Sequence, residues 1–111
     1  MAGKEDTGFV TVFVTASSLD EASRIARTMV EERLAACGNI IPQLRSIYRW
    51  QDEIHDEPEV LLVLKTSSAL FESLRSRVLE LHSYDVPEII ALPVEAGHEP
   101  YLDWIVENTK S

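Results

Sequence analysis

The chain has 111 residues, 45% of them apolar, and nineteen acidic against ten basic residues give a formal net charge of −9. This length predicts one domain of ordinary globular composition. The negative charge argues against binding to nucleic acid or to an anionic membrane, because both would repel it. It leaves cation binding open, although acidic surfaces more often serve solubility.

A single cysteine, Cys37, excludes a disulfide within the chain and fits a reducing compartment. No apolar run reaches the roughly 18 residues that a membrane-spanning helix needs. Residues 1–7 are small and polar and lack the apolar segment of a secretion signal. We therefore expect a flexible tail at residues 1–7, followed by one domain at residues 8–108.

The first half of the domain predicts a strand and then a helix. Residues 9–15 are β-branched and aromatic throughout, which indicates a central strand. Ser18 and Glu21 have the spacing of a capping box, and apolar residues then recur every three or four positions as far as Leu34. Gly38 is predicted to end this helix.

A long hairpin is predicted next, with strands at residues 40–51 and 58–66 joined by a polar turn at residues 52–57. Pro42 lacks a backbone donor, so the first of these strands is expected at an edge of the sheet. The second is apolar at each of residues 60–64, so it is expected to be central. Tyr48 and Trp50 give the edge strand an apolar load that we expect a second copy of the chain to cover.

Two helices and a strand complete the domain. Ser67 and Ser68 are predicted to cap a helix with an apolar side that extends to Leu81. Residues 88–95 predict a fourth strand, and Pro93 places it at an edge. Pro100 suits the first turn of a short final helix. The order βαββαβ predicts an α+β, ferredoxin-like fold, in which the second and fourth strands lie at the edges.

The sequence offers few catalytic or metal-binding residues. Cys37 stands between small residues with no neighbouring base, so we interpret it as a structural thiol rather than a nucleophile. The three histidines are far apart in the chain and form no zinc-type spacing. His82 is the best metal candidate because it precedes Tyr84 and Asp85 in a loop, although single loop histidines are more often simply solvated.

A second group of polar and aromatic residues flanks the hairpin and the start of the fourth strand. It is interpreted either as a set of mutually satisfied subunit contacts or as a cleft between subunits that binds a small ligand. Lys65 needs a counter-charge if it is partly buried, and Glu59 or Glu88 is the expected source. The members of the predicted cleft are Tyr48, Trp50, Glu59, Lys65, Tyr84 and Glu88.

Five motifs, in order, resemble the CutA divalent-cation-tolerance family: LAACGNIIP at residues 34–42, SIYRW at 46–50, EVLLVLKT at 59–66, YDVPEIIALPV at 84–94 and YLDW at 101–104. The resemblance implies a tight homotrimer in which the hairpin reaches a neighbouring subunit, with an architecture similar to the PII signalling proteins. It also implies a role in divalent-metal tolerance, notably to copper, in the cytoplasm. It implies no enzyme activity and no required cofactor.

The copper ligands implied by the resemblance match this chain poorly. They are a cysteine at the end of the first strand, where this chain has Val14, and two adjacent histidines, where it has Leu81 and His82. We therefore expect weak contact with copper or another divalent cation, centred near His82. The alternative is a PII-like signalling or scaffold module that binds a small ligand or a protein in the cleft between subunits.

Overall fold

The computed structural model describes residues 7–110, so the predicted tail lies outside the described residues apart from Thr7. The described part contains strands β1 to β4 and helices α1 to α3. They are β1 (Phe9–Ala16), α1 (Leu19–Glu31), β2 (Cys37–Trp50), β3 (Glu53–Ser67), α2 (Phe71–Leu81), β4 (Ile89–Pro93) and α3 (Glu99–Glu107). None of these helices is long and apolar enough to cross a membrane. The predicted order βαββαβ, followed by a short helix, is confirmed.

The four strands form one antiparallel sheet in the order β2-β3-β1-β4. The two central strands are therefore the two that were predicted to be central, and Pro42 and Pro93 lie in the two edge strands, as predicted. Pro42 falls where the β2–β3 register shifts between Ile41 and Leu44, next to Gln43 with a φ of 66°. A bulge on an edge strand accommodates proline because no ladder hydrogen bond is lost there.

One face of the sheet is covered by α1 and α2. Alternate residues of the central strands are fully buried on this face, including Val12 and Leu64. They pack with Met29 of α1 and Val78 of α2 in one hydrophobic core. The alternation follows from the two-residue period of a strand.

The opposite face, which we call the open face, keeps apolar side chains in contact with solvent. Ile41 of β2 and both Ile90 and Leu92 of β4 are between 43% and 49% exposed. Because exposed apolar patches of this kind commonly mark interaction surfaces, the open face is a candidate contact surface for another subunit.

The hairpin differs from its predicted form. The predicted polar turn at residues 52–57 is wrong: the chain turns at Gln51 and Asp52, whose φ angles are 52° and 65°, and β3 begins at Glu53. Positive φ at both central residues is the geometry of a tight hairpin turn, and Asp tolerates it. β1 pairs with β3 only from Val60 onward, so residues 44–59 form a two-stranded arm beyond the sheet.

Gly38 does not end α1. The helix stops at Glu31, Arg33 then adopts a left-handed φ of 61°, and Gly38 lies within β2. A Cβ atom at Gly38 would stand 3.1 Å from both Ala26 Cβ and Leu64 Cδ2. The glycine therefore allows α1 to pack closely on the sheet.

We expect Gly38→Ala to lower the free energy of unfolding by about 1 to 3 kcal/mol, the usual range for an overpacked core. Urea denaturation measures the effect. Gly97→Ala is the comparison variant because its nearest neighbour is the flexible end of Leu102. An unchanged urea midpoint for Gly38→Ala would contradict the close packing.

Of the two predicted helix caps, one is confirmed and one is wrong. Ser18 caps α1 as predicted, since its Oγ accepts a hydrogen bond of 3.1 Å from the Glu21 amide. The predicted cap of the second helix is wrong. Ser68–Leu70 form a short 3-10 helix that runs into α2, and no side-chain cap is made at Ser67 or Leu70. The fourth strand is also shorter than predicted.

Candidate functional site

A groove of about 520 Å³ lies between the arm and the loop that leads from α2 to β4. We call it the arm groove. It contains five of the six residues that were predicted to form a cleft: Tyr48, Trp50, Glu59, Tyr84 and Glu88. Thr15, Ser46, Ile47, Asp85 and Val86 complete the lining. Residues that are distant in sequence thus meet, because the arm and the loop both project from the same end of the central strands.

Lys65 is the member that the structure places elsewhere. It pairs with Cys37 at the far end of the β2–β3 ladder, and its Nζ contacts Asn39 Oδ1. Glu59 lies six positions away along the same extended strand, a span of roughly 20 Å. The prediction that Glu59 or Glu88 supplies the counter-charge of Lys65 is therefore wrong within one protomer. An amide oxygen, and not a carboxylate, contacts the ammonium group.

Two tyrosines in the arm groove donate hydrogen bonds to carboxylates. Tyr84 donates to Glu59 Oε2 at 2.7 Å, and Tyr48 donates to Glu57 Oε1. Burial, and then the hydrogen bond to Glu59, raise the pKa of Tyr84. The hydrogen bond to Glu57 raises the pKa of Tyr48. Both phenols therefore stay neutral over the physiological range, and their hydroxyl groups are held in place.

His82 is buried rather than solvated, and both of its ring nitrogens have partners. Its side chain is 0% exposed. Nε2 lies 2.7 Å from the carbonyl oxygen of Thr15, and Nδ1 accepts a hydrogen bond of 3.1 Å from the Tyr84 amide. Since a carbonyl can only accept, Nε2 carries the proton and the ring fixes the loop against β1. A metal ion would have to displace one of these backbone partners.

Glu21 is the residue at this site that sequence reasoning missed, because it was interpreted only as a helix cap. Its carboxylate is 5% exposed and accepts from the Ser17 amide at 3.0 Å, the Ser17 hydroxyl at 2.8 Å and the Ser83 amide at 2.8 Å. Burial alone would raise its pKa, but the hydrogen bonds from Ser17 and Ser83 outweigh it and lower the pKa to about 2. The buried Glu21 carboxylate is thus permanently charged, and its hydrogen bonds connect the start of α1 to the loop between α2 and β4, which we call the groove loop.

No three His, Cys, Asp or Glu side chains within residues 7–110 are grouped so that they could hold a metal ion. Val14 is fully buried in the core, and Leu81 packs against that core. Two of the three positions where the resemblance implies copper ligands are therefore part of the hydrophobic core, and the third is His82. Cys37 Sγ lies 3.8 Å from Asn39 Oδ1, and its predicted structural role stays a prediction.

Fold and groove together define a ferredoxin-like domain whose hairpin extends past its own sheet to form one side of a candidate binding site. The chain matches the family model of the CutA1 divalent ion tolerance protein over residues 10–108. It is 53% identical over 98 residues to the divalent-cation tolerance protein CutA of Thermus thermophilus, covering 88% of this chain and 95% of that protein. The chain therefore belongs to the CutA divalent-cation-tolerance family.

Other relatives extend the comparison. Human protein CutA is 50% identical over 99 residues, covering 89% of this chain but 55% of that protein, so the chain spans little more than half of the mammalian relative. The solved structure of the Thermus thermophilus divalent cation tolerance protein has a TM-score of 0.90 at 51% identity and covers 92% of this chain and 99% of that one. The solved structure of Oryza sativa CutA1 has a TM-score of 0.91 at 37% identity and covers 95% of this chain and 96% of that one.

The names of two relatives place them in different compartments. The Arabidopsis thaliana protein is named chloroplastic, and the Archaeoglobus fulgidus structure is described as periplasmic. Membership of the family thus does not assign a compartment, and the cytoplasmic location stays a prediction.

Proposed function

We propose that this protein is a homotrimer that contributes to divalent-cation tolerance, copper in particular, by binding and assembly and without a catalytic step. The observation that carries the proposal is the arm. An isolated two-stranded ribbon is at best marginally stable in water, so a ribbon of this length needs a surface to pack on.

The arm exposes large apolar side chains on both of its faces. Ile47 and Ile54 are 67% and 61% exposed on one face, and Tyr48 and Trp50 are 39% and 43% exposed on the other. A ribbon that leaves such side chains in water on both sides favours insertion between neighbouring subunits. The open face offers apolar surface for such packing, and within residues 7–110 the outer edges of β2 and β4 have no neighbouring strand.

Copper contact in this proposal is weak and does not use the His82 ring as it is hydrogen-bonded here. We expect calorimetric titration with copper to give equal heats for the wild-type protein and for His82→Gln. Glutamine is the suitable replacement because its amide can still donate to the Thr15 carbonyl oxygen. The titration uses tag-free protein, since a histidine tag would bind copper itself.

A loss of most of the copper heat in a folded His82→Gln protein would identify His82 as a ligand and contradict its structural assignment. Circular dichroism of both proteins verifies that the variant is folded. His55→Gln is the matched control, because His55 lies on the arm and stacks on Tyr48 with ring centroids 5.2 Å apart.

The second candidate function is ligand binding in the arm groove, as in a signalling or scaffold module. The observation that favours it is the groove itself. Its volume falls within the 300 to 1,000 Å³ range typical of small-ligand sites, and its walls combine aromatic rings with a few polar groups. In a trimer the groove would lie close to the neighbouring subunit, so assembly and ligand binding would be coupled.

A further inference from the structure

We propose that the arm groove binds a small organic cation that carries apolar substituents, such as an alkylammonium or quaternary ammonium compound. This inference depends on the second candidate function above, and it does not depend on metal binding. Three features of the groove lead to it: its aromatic walls, the sign of its charge, and the way its carboxylates are spread out.

The aromatic walls come from the arm and from the groove loop. Tyr48 and Trp50 project from the same face of β2, and Tyr84 faces them from the loop. A cation over an aromatic ring is attracted by the negative face of that ring, and tryptophan is the strongest such partner. Several rings around one groove are the arrangement by which proteins bind methylated ammonium groups.

The charge of the groove lining has a single sign. Glu59, Asp85 and Glu88 contribute carboxylates, and the lining contains no lysine or arginine among the described residues. Nearby Glu57 adds a fourth carboxylate through its contact with Tyr48. Walls of one sign concentrate ligands of the opposite sign, so an anionic ligand such as a phosphate ester is disfavoured.

The carboxylates are too dispersed to favour a metal ion. A divalent cation needs several oxygen atoms within about 2.6 Å of one point. No such grouping of three acidic, histidine or cysteine side chains exists in residues 7–110. An organic cation needs no such convergence, because its charge is shared over several carbon atoms and its alkyl groups contact the rings. The dispersed carboxylates and the apolar walls therefore suit an organic cation better than a divalent metal ion.

The groove is also held in shape before any ligand arrives. The Tyr84 hydroxyl is fixed by Glu59 at 2.7 Å, and the Tyr84 ring packs on His82 with centroids 4.6 Å apart. His82 is in turn bound to Thr15 of β1. Side chains that are already ordered lose less conformational entropy on binding, which favours affinity.

Choline and its neutral carbon isostere 3,3-dimethylbutan-1-ol test the inference, because they have nearly the same shape and differ in charge. The chain has two tryptophans, Trp50 and Trp104, and only Trp50 lines the groove. In the full chain carrying Trp104→Phe, fluorescence therefore reports on Trp50. We expect choline to change this fluorescence with saturation, and the isostere to bind at least about tenfold more weakly.

Variants that remove carboxylates test whether choline binds in the arm groove. Asp85→Asn combined with Glu88→Gln removes two carboxylates from the groove and is expected to weaken choline binding at least about threefold. Glu72→Gln is the matched control, since Glu72 is an exposed carboxylate of α2 outside the groove lining. Equal binding of choline and the isostere, or unchanged choline affinity in the double variant, would overturn the proposal.

Light scattering on the same samples measures the oligomeric state, so the test of choline binding and the test of the trimer are read separately. A trimer that does not distinguish choline from the isostere contradicts the cation inference and leaves the trimer standing. A monomer contradicts the trimer, yet the choline comparison still decides the inference, because residues of one protomer line the groove.

Discussion

Replacing Glu21 by glutamine is expected to lower the free energy of unfolding by about 2 to 4 kcal/mol at neutral pH. The carboxylate is almost completely buried and accepts hydrogen bonds from Ser17 and Ser83. A glutamine amide keeps one acceptor oxygen, but it loses the charge that strengthens these bonds and brings two donors into a site built of donors. Disruption of such a buried network is among the few changes that cost this much.

The same carboxylate makes stability depend on pH. Its pKa is about 2 in the folded protein against an ordinary value of 4.5. The folded state therefore binds this proton less readily than the unfolded chain does. The stabilisation is fully present above about pH 4.5 and is lost as the pH falls toward 2. The shift corresponds to about 3 kcal/mol, because one pKa unit equals about 1.4 kcal/mol.

Urea denaturation from pH 7 down to pH 2, at one fixed protein concentration, measures both effects. The difference between wild type and Glu21→Gln is expected to be largest at neutral pH and to vanish near pH 2. Glu72→Gln is the control, because the Glu72 side chain is 75% exposed and forms a surface ion pair with Arg75 of the same helix. A pH-independent difference would show that shape, and not charge, explains the effect of Glu21.

Ile47→Asp is expected to dissociate the proposed trimer while leaving the protomer folded. Ile47 is 67% exposed in the protomer and lies on the arm, far from the core under α1 and α2. If a neighbouring subunit covers it, the substitution buries an unpaired carboxylate at the contact, which costs several kcal/mol. Light scattering is expected to give three times the 12.5-kDa protomer mass for wild type and a lower mass for the variant.

Leu79→Asp is the matched control for this experiment. Leu79 is also an exposed apolar residue, at 44%, but it belongs to α2, which covers the other face of the sheet, and it is not part of the groove lining. We expect Leu79→Asp to retain the wild-type mass. A wild-type protein that is monomeric in dilute buffer, or an Ile47→Asp protein that stays trimeric, would contradict the proposed packing of the arm.

The sequence alone determined the fold and the order of the strands. Pro42 and Pro93 marked the two edge strands because proline cannot donate to a ladder, and the continuous apolar run at residues 60–64 marked a central one. These are local properties, so they can be read before any contact is known. Five motifs in order also identified the family.

Only the tertiary structure decided how the polar residues are used. The length of the arm depended on a tight turn at Gln51 and Asp52, where glycine was absent and the polar run suggested a loop. His82 and Glu21 acquired their roles from partners more than sixty residues away, at Thr15 and Ser83 respectively. Lys65 was separated from Glu59 by the length of the strand that they share. Such roles depend on which backbone groups meet in space, and spacing along the chain does not record that.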